Sequence, residues 1–219
     1  MKLLVTGATG LIGAALVEQA LQDEAITELI LLVRKDPPLR HPKLRIILHQ
    51  DFLDYDSLRE TIRQADALAW CLGTSQTQVG RKEYEKITVN YTAACAAACM
   101  AMNPRIRFVF VSGDGADRTE KSSTLFRKLK GRAENTLFGS GLENLVIVRP
   151  DAVRPRTKNK RAPLAYKLAY PFFPLVEWLA PHKVIWSDVL GRAILALVKE
   201  GAAGRIIENR ELRALGKQS

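Results

Sequence analysis

A glycine-rich loop near the N-terminus most constrains how this chain can fold. The stretch "VTGATGLIG" places Gly7, Gly10 and Gly13 between a short apolar strand and a segment with helical spacing. In such a loop the first glycine permits a tight turn, the second lets a bound group approach the backbone, and the third lets the helix pack closely on the strand. The helix start then offers N–H groups and a positive dipole end to a pyrophosphate. The pattern predicts a dinucleotide site; the alternative is a tight turn alone.

Strand and helix patterns alternate along the chain as far as Pro150. Apolar runs predict strands at residues 2–6, 28–33, 44–48, 67–72, 108–112 and 145–148, and helical spacing predicts helices at residues 11–21, 57–64, 82–102 and 119–138. Strands that are apolar throughout are typical of a parallel sheet covered on both faces. The expected fold is therefore α/β, a doubly wound parallel sheet of the Rossmann type.

The character of the sequence changes after Arg149. A basic, proline-bounded stretch is followed by an aromatic one, then by a helical pattern at residues 187–200 and a short apolar run at 205–208. We expect one domain over residues 1–219, with residues 151–185 as a substrate-side loop and cap, because ligands of this fold bind beyond the carboxyl ends of the strands. The aromatic stretch can also pack a homodimer or touch a membrane.

The end of the second predicted strand bears on the type of dinucleotide. A free ribose 2′-hydroxyl usually meets an acid there, about 20 residues beyond the glycines. This chain has Arg34 and Lys35 instead, with Asp36 only after them. Two cations suit a 2′-phosphate, so the sequence favours NADP over NAD. The alternative is a solvated arginine at a strand end.

Composition narrows the class of partner and of compartment. The net charge of +10 favours anionic partners. No RNA-binding signature, helix-turn-helix or zinc spacing supports nucleic acid, which stays a third hypothesis. The cysteines Cys71, Cys95 and Cys99 form no disulfide or metal pattern, so we expect no metal and a cytoplasmic location. The glycines and Glu18 argue against a signal peptide, and no run is long and apolar enough to span a membrane.

Several short motifs occur in one order along nearly the whole chain: the glycine loop, "CLGT" at residues 71–74, "VNY" at 89–91, Ser112, and "VRPDAV" at 148–153. With these the chain resembles the atypical short-chain dehydrogenase/reductases, most closely the Tat-interacting-protein group of oxidoreductase-like proteins. The resemblance implies a set of cofactor-binding residues: Gly7, Thr9, Gly10, Leu11, Ile12 and Gly13 at the pyrophosphate, Arg34 at the 2′-phosphate, Asp51 and Phe52 at the adenine, Leu72 and Gly73 at the adenosine ribose, and Ser112, Lys130 and Pro150 at the nicotinamide end.

The sequence departs from this family at Phe126. The family pairs a tyrosine with a lysine four residues later, because residues at that spacing share a helix face. The ammonium lowers the pKa of the phenol, which then exchanges a proton with a substrate oxygen. Here the pair is Phe126 and Lys130, and a benzyl ring has no proton to give. Ser112 and Lys130 remain as the catalytic residues that the resemblance implies. The alternatives are a serine that ends a strand or caps the next turn, and a lysine on a solvated helix face.

Two functions follow from these residues. The first is an NADP-binding oxidoreductase that reduces or oxidises a small carbonyl or alcohol compound, with Phe126 at the usual tyrosine position. The second is an NADPH-bound regulatory or scaffold protein with little or no turnover, which the missing phenol favours.

Overall fold

The computed structural model describes residues 1–156 and 180–218. Its strands in the described ranges are β1 Lys2–Thr6, β2 Glu28–Val33, β3 Leu44–Leu48, β4 Ala67–Trp70, β5 Arg107–Val111, β6 Asn144–Arg149, β7 Ala152–Arg154, β8 Val184–Trp186 and β9 Arg205–Glu208. Seven of them form one parallel sheet in the order β3-β2-β1-β4-β5-β6-β9, and β7 pairs with β8 in a separate parallel ribbon.

The order of the strands places the ligand crevice. From β1 the chain first winds outward to β2 and β3, and then returns to add β4 on the opposite side of β1. The register pairs Thr6 with Leu32 of β2 and with Trp70 of β4, so these strands end at the same edge. In an open α/β sheet, ligands bind in the crevice beyond the carboxyl ends at such a reversal.

Helices cover both faces of the sheet. In the described ranges they are α1 Leu11–Gln22, α2 Arg59–Gln64, α3 Arg81–Glu85, α4 Tyr91–Met102, α5 Leu125–Phe138, α6 Ser187–Glu200 and α7 Asn209–Gln218. Alternate residues of each strand point to opposite faces, which divides the core. Leu3 and Val5 pack with α1 and α6 on one face, whereas Leu4, Trp70 and Phe108 pack with α2, α4 and α5 on the other.

The predicted α/β Rossmann fold is confirmed, with differences in detail. The helix predicted at residues 119–138 begins only at Leu125. Before it, the carboxylate of Asp117 accepts the N–H of Thr119 at 2.9 Å, and Glu120 has a φ of 59°. Both features hold a turn there, because a side-chain acceptor that bonds local N–H groups competes with the helix.

Other differences lie in the middle and at the end of the chain. The long helix predicted at residues 82–102 contains one π-helical turn, Lys86–Asn90, between α3 and α4. The sequence predicted neither the β7–β8 ribbon nor α7. Of the predicted cap at residues 151–185, residues 157–179 lie outside the described residues.

Candidate cofactor-binding and active site

The glycine loop is packed too tightly for larger residues. Gly7 has a φ of +66°, and a side chain there would collide with the carbonyl of Cys71, just after β4. The N–H of Gly10 donates to the carbonyl oxygen of Gly7 at 2.9 Å and closes the turn. A side chain at Gly13 would also collide with the carbonyl of Gly7. The glycines thus bring α1, β1 and β4 close together at the carboxyl edge of the sheet.

The start of α1 is open to an anion. Within the described residues, no side chain caps this helix, whose N-cap is the extended Gly10, and its first turn has no acidic residue. Thr9 is exposed, and Leu11 and Ile12 are half-buried. The first N–H groups of a helix lack intrahelical acceptors and carry the positive end of its dipole. This uncapped end therefore fits the pyrophosphate of a dinucleotide.

A cleft of about 670 Å³ runs from the glycine loop past the end of β2. Its lining residues are Gly7, Ala8, Thr9, Leu32, Val33, Arg34, Lys35, Asp36, Pro37, Pro38, Gln50, Phe52 and Leu72. Phe52 is only 2% exposed and is one of the residues that line the cleft. Asp51 and Gly73 are exposed beside it, and the Asp51 carboxylate accepts the N–H of Leu53 at 2.9 Å. Apolar residues of the lining, Leu32, Val33, Phe52 and Leu72, could contact a base.

Cations dominate the far end of the cleft. Arg34 and Lys35 are exposed, and the side-chain amide of Gln50 donates to the carbonyl of Arg34 at 2.6 Å, which fixes the backbone there. The carboxylate of Asp36 accepts two hydrogen bonds from the guanidinium of Arg40, at 2.7 and 3.2 Å. The nearby acid is thus already paired, which leaves a net positive end that suits a phosphate.

The Ser112 hydroxyl is committed to a buried acid. It follows β5, is 6% exposed, and donates to Oε1 of Glu134 at 2.5 Å. Glu134 is fully buried in α5, and Arg149 at the end of β6 binds both of its oxygens, at 2.9 and 2.5 Å. A second carboxylate, that of Glu208, lies 3.2 Å from the same guanidinium. A serine hydroxyl has one hydrogen to donate, and in this arrangement it points to Glu134 and not to a substrate carbonyl.

Lys130 reaches from α5 to the ends of β4 and β5. Its Nζ donates to the carbonyl of Val111 at 2.9 Å and lies 4.9 Å from the centre of the Phe110 ring. Burial lowers the pKa of Lys130 to about 8, although Glu134 and the Cys71 thiol act in the opposite direction. Burial likewise raises the pKa of Cys71 to about 12.

Phe126 lies one turn before Lys130 on the same face of α5. Its half-buried ring packs beside Tyr84 and Leu129, and its Cζ would lie 2.5 Å from a side chain built at Gly113. Gly113 directly follows Ser112. The structure therefore brings Phe126, Lys130 and Ser112 together around one short stretch of backbone.

Pro150 joins the loops that follow β5 and β6. Its carbonyl accepts the N–H of Asp114 at 2.9 Å. Next to it lies Asp151, whose pKa is raised by burial and then by the Asp114 carboxylate. Lys183 lies 3.5 Å from Asp151 and 3.9 Å from Asp114, on the segment that leads into β8. These charges border the substrate side of the crevice.

Neither a metal centre nor a membrane-spanning helix is found in the part of the chain that the structure describes. Its histidines, cysteines and acids form no cluster of three that could hold a metal ion. Its helices are all too short or too polar to cross a membrane. The three cysteines are free thiols, with Cys95 and Cys99 buried in α4.

The sequence alone did not reveal Glu134, Arg149 or Gln50 as site residues. One signal for the first was present: Glu134 follows Lys130 by four residues and so shares its helix face. An acid on a face that packs against a sheet needs a cationic partner, since a buried charge is unfavourable unless paired. Gln50 has no comparable signal, because its role depends on how β2 and β3 end side by side.

Comparison with known proteins agrees with this geometry. Residues 7–168 match the family described as NAD(P)H-binding. "Leucinostatins biosynthesis cluster protein T" of Purpureocillium lilacinum is 31% identical, over 100% of this chain and 94% of that protein. "Protein FMP52, mitochondrial" of Eremothecium gossypii is 28% identical, over 100% of this chain and 98% of that protein.

A solved structure shares the fold. UDP-glucuronic acid 4-epimerase from Bacillus cereus, in complex with NAD, superposes with a TM-score of 0.70 at 18% identity, over 95% of this chain and 78% of that chain. At this identity the likeness shows the fold alone.

The expectation of a cytoplasmic location is wrong. The FMP52 relatives from Eremothecium gossypii and Candida albicans are both named as mitochondrial proteins. Free cysteines argue against an oxidising compartment, but they do not choose among reducing ones.

The family match covers the glycine loop, the cleft and the nicotinamide end, and the topology of the sheet is that of the matching fold. The chain belongs to the NAD(P)H-binding family, and its Rossmann fold fits the atypical short-chain dehydrogenase/reductases.

Proposed function

We propose that this protein binds NADP(H) in preference to NAD(H) and transfers a hydride to or from a small carbonyl or alcohol compound. The observation that carries the proposal is the cationic end of the cleft. Arg34 and Lys35 are exposed there, whereas the carboxylate of Asp36 is held by Arg40. A 2′-phosphate would meet two cations and no free acid.

The glycine loop and the cleft supply the rest of the cofactor site in this proposal. Its residues are Gly7, Thr9, Gly10, Leu11, Ile12 and Gly13 at the pyrophosphate, Asp51 and Phe52 at the adenine, Leu72 and Gly73 at the ribose, and Ser112, Lys130 and Pro150 at the nicotinamide. When bound, the cofactor would supply or accept the hydride. The chain itself orients it through backbone N–H groups and the Lys130 ammonium.

The proton-handling part of the site differs from that of a tyrosine-dependent reductase. Phe126 has no hydroxyl, and the Ser112 hydroxyl donates to Glu134. Loss of a positioned acid typically slows a reaction by roughly 10²–10⁴-fold. We therefore expect slow turnover, confined to reactive carbonyl compounds.

The same two residues favour a second candidate, an NADPH-bound regulatory or scaffold protein with little turnover. Both candidates need the same cofactor site. They differ in whether bound NADPH is consumed when small carbonyl compounds are added.

Calorimetric titration with NADPH and NADH tests the cofactor assignment. NADPH should bind at least tenfold more tightly, and Arg34→Asp should erase the difference. The matched control is Arg59→Asp, at an exposed arginine of α2 that is not among the cleft-lining residues, and it should leave the difference in affinity unchanged. Equal affinities in the unaltered protein would contradict the proposal.

A second experiment tests turnover. The loss of NADPH absorbance after addition of dicarbonyls or quinones separates a reductase from a protein that only holds the cofactor.

A further inference from the structure

Four residues near the ends of β4 and β5 can be compared as proton donors to a substrate oxygen: Cys71, Ser112, Phe126 and Lys130. The thiol of Cys71 holds its proton tightly, since burial raises its pKa to about 12. The Ser112 hydroxyl donates to Glu134, and Phe126 has no acidic proton. The remaining donor of this group is the Lys130 ammonium.

The Lys130 ammonium has more donors than its hydrogen bond to the Val111 carbonyl uses. One N–H donates to the carbonyl of Val111 at 2.9 Å, and the Phe110 ring lies 4.9 Å from Nζ. An ammonium has three donors, so this bond does not exhaust it. The backbone contact also fixes the group at the end of β5, directly before Ser112, and Lys130 follows Phe126 by one turn of α5.

The surroundings of Lys130 make its proton easier to release. The ionisable groups that face it are Glu134 on its own helix and Cys71 after β4, and the charge of Glu134 is largely balanced by Arg149 from β6. Burial outweighs both and lowers the pKa of Lys130 to about 8. Such an ammonium is mostly protonated at neutral pH, yet it is a stronger acid than an ordinary lysine.

We propose that the Lys130 ammonium, in place of a tyrosine phenol, gives the proton to the substrate oxygen during carbonyl reduction. This rests on the proposed function. The carbonyl carbon gains the hydride, the carbonyl oxygen gains the Lys130 proton, and an alcohol and the oxidised nicotinamide are formed. The neutral amine then regains its proton from solvent. In alcohol oxidation the neutral amine accepts the proton.

Lys130→Arg is the decisive variant, because it keeps the charge and the donors but cannot release a proton near neutral pH. It should bind NADPH within a few-fold of the unaltered protein, by calorimetry, and reduce a dicarbonyl roughly 10²-fold or more slowly. The unaltered protein should lose activity as the pH rises through about 8, and the variant should lack this limb. Lys121→Arg, at an exposed lysine before α5, is the matched control and should behave normally.

A second measurement needs neither the cofactor nor turnover. Reductive ¹³C-methylation labels the lysines, and the NMR resonance missing from Lys130→Arg identifies Lys130. In the free protein this resonance should titrate near pH 8. A midpoint close to the ordinary value of about 10.4 would overturn the proposal.

Other outcomes have equally definite meanings. A Lys130→Arg protein that turns over at the normal rate with an unchanged pH limb refutes the role. The role is also refuted if Tyr166→Phe or Tyr170→Phe abolishes the loss of activity above about pH 8, since the proton would then come from one of these phenols, which lie outside the described residues. If NADPH binds but no carbonyl compound is reduced, the inference about Lys130 fails. If neither cofactor binds at all, the proposed function fails with it.

Discussion

The ring of Phe126 lies against the backbone of Gly113, so closely that a side chain built at Gly113 would come within 2.5 Å of the ring's Cζ. A phenol oxygen attached to that carbon would therefore be placed beside the residue that follows Ser112. Because Phe126 is half-buried, such a hydroxyl need not lose all contact with solvent.

Phe126→Tyr should accordingly raise NADPH-dependent reduction of reactive dicarbonyls or quinones by about 10²-fold, since it restores a phenol one turn from the Lys130 ammonium. The melting temperature should not fall, whereas a hydroxyl buried without a partner would cost about 1–3 kcal/mol. The measurements are NADPH absorbance and thermal unfolding.

The control is Phe138→Tyr, at the end of the same helix, where the ring packs under Arg118; this variant should gain no activity. A Phe126→Tyr protein that melts early and gains nothing would make Phe126 a packing residue only.

Glu134→Gln should lower the free energy of unfolding by about 3–5 kcal/mol, because it leaves Arg149 partly buried without its strongest partner. Urea unfolding measures this. The control is Glu60→Gln on α2, whose exposed pair with Arg63 spans 3.4 Å and should contribute less than about 1 kcal/mol. If both variants change stability equally, the Glu134–Arg149 pair contributes no more than a surface contact.

Gly131→Ala should lower the free energy of unfolding by about 1–3 kcal/mol. Its methyl group would collide with the backbone carbonyl of Asp117, which cannot move as a flexible side chain can. Gly139→Ala, just after the end of α5, finds its nearest atoms at 3.4 Å and is the matched control; it should be neutral or gain about 0.4–1 kcal/mol. Thermal unfolding of both proteins shows whether α5 packs on the preceding loop as closely as described.

The local patterns along the sequence were sufficient for the sheet and for the glycine loop. Strands that are apolar throughout and a Gly-rich turn are determined by neighbours in the chain, so β1, β2 and β3 end within a residue of their predicted limits. The clustering of Phe126, Lys130 and Ser112 also follows from helix spacing and strand order.

What the sequence could not supply depends on contacts between distant residues. The Ser112 hydroxyl bonds to Glu134, 22 residues away, and Arg149 completes the group from another strand. The ribbon of β7 and β8 has three residues in each strand, too few for a periodic signal. The late start of α5 depends on the turn held by Asp117. The sequence at residues 119–124 has a helical pattern and gives no sign of this turn.

The depressed pKa of Lys130 predicts a stability that depends on alkaline pH. The folded protein holds this proton with a pKa of about 8, whereas the unfolded chain holds it with an ordinary value of 10.5. Between these values the unfolded state binds more protons, so the free energy of unfolding should rise with pH across this window. The gain in the free energy of unfolding is at most about 3 kcal/mol, and it is lost as the pH falls back to about 8.

Urea unfolding at several pH values measures this gain. Lys130→Met should remove the rise, whereas Lys121→Met, at an exposed lysine, should keep it. A rise of the same size in both variants would mean that other groups cause it, and that Lys130 keeps an ordinary pKa in the folded protein.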